Sequence, residues 1–86
     1  MIHFATSRKS YDQLAASSAW PPSALWVAHG VLSSPELADL RASGLAVTDF
    51  TNPFDSSDQM QIADALVIIR EHHPGQIVCV DGSVAA

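Results

Sequence analysis

The chain has 86 residues, of which 48% are apolar and 15% charged, and its formal net charge is −5. That length predicts a single domain, residues 1–86, with a modest core, and the apolar fraction excludes wholesale disorder. No apolar run approaches the ~18 residues of a membrane-spanning helix, and four basic residues are too few for a nucleic-acid or anionic-membrane surface.

Four short apolar runs alternate along the chain with three segments that carry helix signals. The first run is Ile2–Ala5. Ser10 and Gln13 then have the spacing of a capping box, in which two side chains satisfy backbone N–H groups at the start of a helix. We therefore expect the first helix to begin at Ser10 and to end near Trp20, because Pro21 disfavours helical geometry in the residue before it.

The second run, Ala24–Ala28, is followed by another set of helix signals. Ser33 and Glu36 have the capping-box spacing, with Pro35 in the first turn. Gly44 stands where the left-handed residue after a helix is usually found. These signals predict a second helix that starts after Ser33 and ends before Gly44.

The third run, Leu45–Phe50, leads through a polar turn to the longest helical pattern in the chain. Ser56 and Gln59 repeat the capping-box spacing at its start. Pro74 ends the pattern, and the range 76–80 supplies the last apolar run. The second half of the chain is therefore expected to form strand, helix and strand.

Continuous apolar runs indicate strands that are covered on both faces, and their alternation with helices is typical of parallel pairing. The sequence thus predicts an α/β fold, a small βαβαβαβ layer sandwich with a four-stranded, mainly parallel sheet and three helices. Such a domain would be similar to a truncated Rossmann-like or flavodoxin-like fold. Three helices cannot cover both faces evenly. The alternatives are a two-layer sheet with every helix on one face, and a homodimer that hides the bare face.

The single cysteine, Cys79, lies within the last apolar run. A lone cysteine excludes an intramolecular disulfide, and its apolar neighbours indicate a small buried hydrophobe rather than a reactive thiol. We therefore expect a cytoplasmic protein. The sequence contains no glycine-rich phosphate loop and no GxSxG nucleophile motif. It predicts no metal and no cofactor, and it gives no support to nucleophilic catalysis.

Ligands of parallel α/β sheets bind beyond the carboxyl ends of the strands. The sequence places there a set of polar residues that could bind phosphate or another small anion: Arg8, Lys9, Ser10, His29, Asp49, Asn52 and Asp81. Arg8 and Lys9 stand at the start of the first helix, where backbone N–H groups favour an anion. If the strands of Asp49 and Asp81 are adjacent, the two carboxylates could hold Mg²⁺ or act as an acid–base pair. Otherwise each aspartate caps a turn.

Three apolar side chains are candidates for contact with another protein: Trp20, Phe54 and Ile68. Trp20 either anchors a partner or plugs the core at the end of the first helix. Phe54 lies in a polar loop, and Ile68 interrupts a polar helical stripe. The range 44–86 has six acidic residues and one basic residue, so it suits either a basic partner or a solvated surface.

Two functions follow from these residues. The sequence favours a small acidic cytoplasmic module that binds a protein partner, either another protein or a second copy of itself, without catalysis. The alternative is a domain that binds a small anion or nucleotide at the carboxyl ends of its strands, with at most weak enzymatic activity.

Overall fold

A computed structural model describes residues 1–55 and 57–85 of the chain. Its strands are β1 (Ile2–Ala5), β2 (Ala24–Val27), β3 (Val47–Asp49), β4 (Val78–Val80) and β5 (Ser83–Val84). Its helices are α1 (Arg8–Ala15), α2 (Ser34–Ala42) and α3 (Gln59–His72). None of the helices in these ranges has the length and apolar character needed to cross a membrane.

The strands form one sheet in the order β3-β2-β1-β4-β5. The first four strands are mutually parallel, which confirms an α/β fold with a mainly parallel sheet. The prediction of four strands is wrong, because β5 adds to β4 in the antiparallel direction. Asp81 and Gly82 both have positive φ, 49° and 86°, so they reverse the chain in the tight turn that joins hairpin strands.

The first helix begins earlier than the sequence pattern predicts. Ser7 caps α1 by accepting a hydrogen bond from the Ser10 N–H at 3.2 Å, while the Ser10 hydroxyl accepts one from the Ser7 N–H at 3.2 Å. Ser10 is therefore the second member of a capping box and not its first. The helix also ends at Ala15, well before Trp20.

The other two helices begin close to the predicted positions. Ser33 caps α2, and Glu36 completes the predicted capping box by accepting from the Ser33 N–H at 3.0 Å. The predicted cap of the third helix, Ser56, lies outside the described residues. Asp58 caps α3 and accepts from the Met60 N–H at 2.9 Å.

Side chains alternate across the sheet and build a core on each face. The core beneath α3 consists of Ile2, Phe4, Ala24, Trp26, Ala28, Ala65, Ile69 and Val78. The core beneath α1 and α2 consists of Ala5, Leu25, Val27, Leu32, Leu37 and Val47. The helices thus lie on both faces. Because α3 is alone on its face and packs against β4, it leaves the β2–β3 side of that face open.

Candidate binding groove

A groove with a volume of about 590 Å³ opens between α3, β3 and the loop that joins them. We call it the α3–β3 groove and define it by Trp26, Thr48, Phe50, Phe54, Gln61 and Ile68. Its volume falls within the range of about 300–1,000 Å³ that is usual for ligand pockets. The groove occupies the part of the sheet that α3 leaves uncovered.

The floor of the groove is an aromatic cluster. Trp26, in β2, is only 4% exposed, and its ring centroid lies 5.4 Å from that of Phe50. Phe4 lies beneath both loop aromatics, with its centroid 5.5 Å from Phe50 and 5.6 Å from Phe54. These spacings are typical of attractive tilted and edge-to-face pairs. The cluster therefore gives the groove a preformed apolar base.

Two histidines at the end of α3 fix the orientation of Trp26. The indole N–H donates to Nε2 of His73 at 3.2 Å, and the ring of His72 lies edge-on to the indole at 5.3 Å. Adjacent residues on a helix point about 100° apart. Both can reach Trp26 because His73 has left helical geometry, with φ −132° and ψ 63°.

The loop that carries Phe54 is tied to α3 by one side chain. Gln61 accepts a hydrogen bond from the Asp55 N–H at 2.9 Å, and its amide nitrogen donates to Asp58 at 3.3 Å. Asp58 is itself the cap of α3. This network joins the wall of the groove to the start of the helix, so Phe54 is held against the floor.

The charged residues that line the groove are the acidic Asp49 and Asp64, and among the described lining residues there is neither a lysine nor an arginine. Asp64 lies on α3, over the groove's face of the sheet, whereas Asp49 is the register partner of Val27, so its side chain lies on the face of α1 and α2. Arg41 approaches from α2, where its Nη2 lies 3.5 Å from Asp49 and donates to the Val47 carbonyl at 3.0 Å. The electrostatic character of the groove therefore suits a cationic ligand.

The structure brings together only part of the predicted anion site. Asp49 and Asn52 line the α3–β3 groove, whereas Arg8, Lys9 and Ser10 occupy the first turn of α1. His29 is exposed in the loop after β2. The predicted residues thus form at least two separate groups, although all of them follow carboxyl ends of strands.

Arg8, one of the two cations at the start of α1, is engaged within the protein. Arg8 Nη1 lies 2.7 Å from one carboxylate oxygen of Glu36 and 2.9 Å from the other, and its Nε contacts Asp12 at 3.1 Å. The Ser33 backbone N–H, followed by Arg8, lowers the pKa of the Glu36 carboxyl. Arg8 therefore links the first turns of α1 and α2.

Asp81 also has a partner in the fold. Its carboxylate accepts from the Thr6 N–H at 2.8 Å and, through the other oxygen, from the Thr6 hydroxyl. This bond joins the carboxyl ends of β1 and β4, next to the start of α1. The Asp81 carboxylate thus already accepts from the Thr6 N–H, which an anion bound at this position would otherwise use.

Asp49 and Asp81 do not share a crevice. Their strands, β3 and β4, are separated by β2 and β1. Three strand spacings of about 4.8 Å place the two strand ends roughly 14 Å apart. The condition for a shared metal ion or acid–base pair is therefore not met. Among residues 1–55 and 57–85, no three His, Cys, Asp or Glu side chains form a possible metal site.

The predicted interaction residues also separate. Phe54 and Ile68 both line the α3–β3 groove, and Ile68 is 41% exposed. Trp20 is half-buried at the margin of the core beneath α1 and α2, with its ring 6.0 Å from that of Tyr11. Two of the three aromatic and aliphatic candidates therefore join Asp49 and Asn52 at one site.

Sequence reasoning did not identify Trp26, Phe50, Gln61 or His72 as site residues. Trp26 and Phe50 lie inside apolar runs and give the signal of core positions. Gln61 has the pattern of an ordinary polar residue on a helix face, and His72 that of an ordinary polar residue at the end of a helix. Only the sheet order, which places β3 at an edge and α3 over β4, shows that these side chains border one groove.

Comparisons of the chain with protein-family models, with curated proteins and with solved structures give no significant match.

Proposed function

We propose that this domain is a non-catalytic interaction module whose α3–β3 groove binds an apolar side chain on a basic segment of a protein partner. The observation that carries the proposal is the groove itself, with an aromatic floor of Trp26 and Phe50 and with the acidic Asp64 on its α3 wall. A few residues seated in well-packed pockets, with aromatic residues enriched among them, provide most of the binding free energy at protein interfaces. Complementary charge around them adds specificity and speeds association.

The alternative function, anion binding at the strand ends, has a defined place in this topology. The order β3-β2-β1-β4 matches the first four strands of the 3-2-1-4-5-6 order of a Rossmann sheet, in which the switch point lies between strands 1 and 4. We infer a Rossmann-like relationship from that order. At the switch point, however, Asp81 binds Thr6 and Arg8 binds Glu36. The groove is the better supported site, and the buried Cys79 favours a cytoplasmic setting.

The proposal can be tested with a defined probe. The basic peptide is acetylated Lys-Val-Lys-Phe-Lys-Val-Lys amide, which alternates cations with apolar side chains. Titration into the isotopically labelled domain should shift the amide resonances of the range 48–54 and of α3. The acidic peptide, with each lysine replaced by glutamate, should leave those resonances unchanged because Asp64 lines the groove and the chain has a net charge of −5.

Two neighbouring residues of α3 provide a matched pair of variants. Ile68 lines the groove, whereas Val67 is 55% exposed and does not line it. Ile68→Ser should weaken binding of the basic peptide about tenfold, equal to about 1.4 kcal/mol. Val67→Ser should leave the affinity unchanged. Equal affinities of the two variants, or equal binding of the basic and acidic peptides, would rule out the groove as the site.

A further inference from the structure

The strand that borders the groove has an open edge. β3 is the last strand on its side of the sheet. The Phe50 N–H donates to the Val27 carbonyl at 3.0 Å, and the Ala46 carbonyl accepts from β2 at 2.9 Å. Backbone groups of successive residues in a strand point to opposite sides. The N–H and C=O groups of Val47 and Asp49 therefore point away from β2, toward the edge.

One side chain covers part of this edge. Arg41 donates to the Val47 carbonyl through Nε at 3.3 Å and Nη2 at 3.0 Å. Its Nη2 also lies 3.5 Å from the Asp49 carboxylate, and the Arg41 side chain is 50% exposed and the Asp49 side chain 40% exposed. Charged side chains commonly protect open strand edges in this way. An exposed ion pair contributes little to stability, so Arg41 is readily displaced.

The edge and the groove are continuous. Thr48 is the register partner of Trp26, so the two side chains lie on the same face of the sheet, and both line the groove. A strand added beside β3 would carry alternate side chains on that face. Those side chains would lie over the aromatic floor while the backbone of the added strand paired with Val47 and Asp49.

We propose that the partner segment binds as an additional β-strand on β3, with an N–H of the segment replacing Arg41 at the Val47 carbonyl. The segment accepts a hydrogen bond from the Asp49 N–H and places apolar side chains in the groove. This inference rests on the proposed function of the groove. A second copy of the chain is a poor occupant, because it would bring the same Asp49 and Asp64 and a net charge of −5.

Backbone methylation of the basic peptide tests the strand geometry. One variant carries N-methyl groups on its Val and Phe residues, and the other carries them on its Lys residues. Only one edge of an added strand pairs with β3, so only one methylated peptide should lose affinity, by about tenfold or more. The sensitive set is the Lys residues for antiparallel addition and the Val and Phe residues for parallel addition.

Two further measurements use the same peptides. Binding of the unmethylated peptide should slow hydrogen exchange at the Val47 and Asp49 amides. Arg41→Ala should tighten its binding about threefold by releasing the Val47 carbonyl. It should not tighten binding of the sensitive methylated peptide, which has lost the competing donor. A general effect of charge would tighten the binding of both peptides equally.

The outcomes separate the inference from the proposed function. If both methylated peptides bind as tightly as the parent and the Val47 and Asp49 amides exchange unchanged, strand addition is wrong while groove binding stands. If the unmethylated peptide does not bind at all, the proposed function fails. If the domain alone shows the same groove shifts as its concentration rises, the occupant is a second copy and the inference is overturned.

Discussion

Trp26 and His73 are joined by a hydrogen bond in which the indole N–H donates to Nε2 of the imidazole at 3.2 Å. Because Trp26 is only 4% exposed, a lost acceptor leaves a buried donor unpaired, which costs about 1–3 kcal/mol. We expect His73→Leu to lower the free energy of unfolding by that amount, measured by urea denaturation.

His73→Gln is the control for this bond, since its side-chain oxygen can accept from the indole. It should recover at least half of the stability that His73→Leu loses. If the leucine variant is as stable as the wild-type protein, the hydrogen bond makes no net contribution and Trp26 is held by ring packing alone.

The cap of α2 allows a comparison between adjacent serines. Ser33 accepts from the Glu36 N–H at 3.3 Å, while Ser34 is exposed at the first helical position. Ser33→Ala should lower the free energy of unfolding by about 1 kcal/mol. Ser34→Ala should change it by less than about 0.5 kcal/mol. Similar losses in the two variants would show that the cap is not the source of the effect.

Local signals predicted the elements wherever neighbouring residues determine the structure. The cap at Ser33 was predicted because Ser, Pro and Glu occur there in the usual order. The start of α1 was missed because its box pairs Ser7 with Ser10, and serine is not the usual second member. The turn of the β4–β5 hairpin has a recognisable sequence signal in Asp81-Gly82. The strand β5 itself has only two residues, too few to show a strand pattern in the sequence.

The candidate site was only partly predictable, because it depends on which strands are neighbours. Asp49, Asn52 and Phe54 could be selected from the sequence as polar or exposed residues near a strand end. Their grouping with Ile68 follows from the position of α3 over β4. Strand order results from packing over the whole chain, and apolar runs of similar composition do not specify it.

The bond between Thr6 and Asp81 joins two strand ends that are far apart in the sequence. Asp81 has a positive φ of 49°, so glycine can replace it without backbone strain. Asp81→Gly should lower the free energy of unfolding by about 1–3 kcal/mol, because the Thr6 N–H loses its acceptor. Asp81→Asn keeps one acceptor oxygen and should lose less than half as much. Equal losses would show that this bond is not what Asp81 contributes.

The same site distinguishes the two functions. Inorganic phosphate should leave the melting temperature of the wild-type protein unchanged, because Asp81 already binds the Thr6 N–H and Glu36 binds Arg8. In Asp81→Gly, phosphate should raise the melting temperature by occupying the vacated N–H. A rise in the wild-type protein that disappears in the Arg8→Ala, Lys9→Ala double variant would instead favour the anion-binding alternative.

His3 makes the stability of the fold dependent on pH. Burial, and then the charge of the N-terminus, lower the pKa of His3 below 6.5. The unfolded chain therefore binds more protons than the folded one once the pH falls below about 6.5. As the pH falls below that value, the free energy of unfolding should decrease by at most about 1.4 kcal/mol per pH unit. The decrease should level off once the pH reaches the lowered pKa of His3 in the folded state.

The contribution of His3 can be isolated by comparing slopes. Urea unfolding between about pH 7.5 and pH 5 should show a shallower loss of stability in His3→Gln than in the wild-type protein. Contributions from all other groups are common to the two proteins and cancel in the difference. The carboxyls of Glu36 and Asp55, whose pKa values are lowered below 4.5 and 3.8, stay ionised throughout this range. Parallel slopes would mean that His3 is protonated equally easily in the folded and unfolded chains, because water or a rearranged N-terminus relieves its burial.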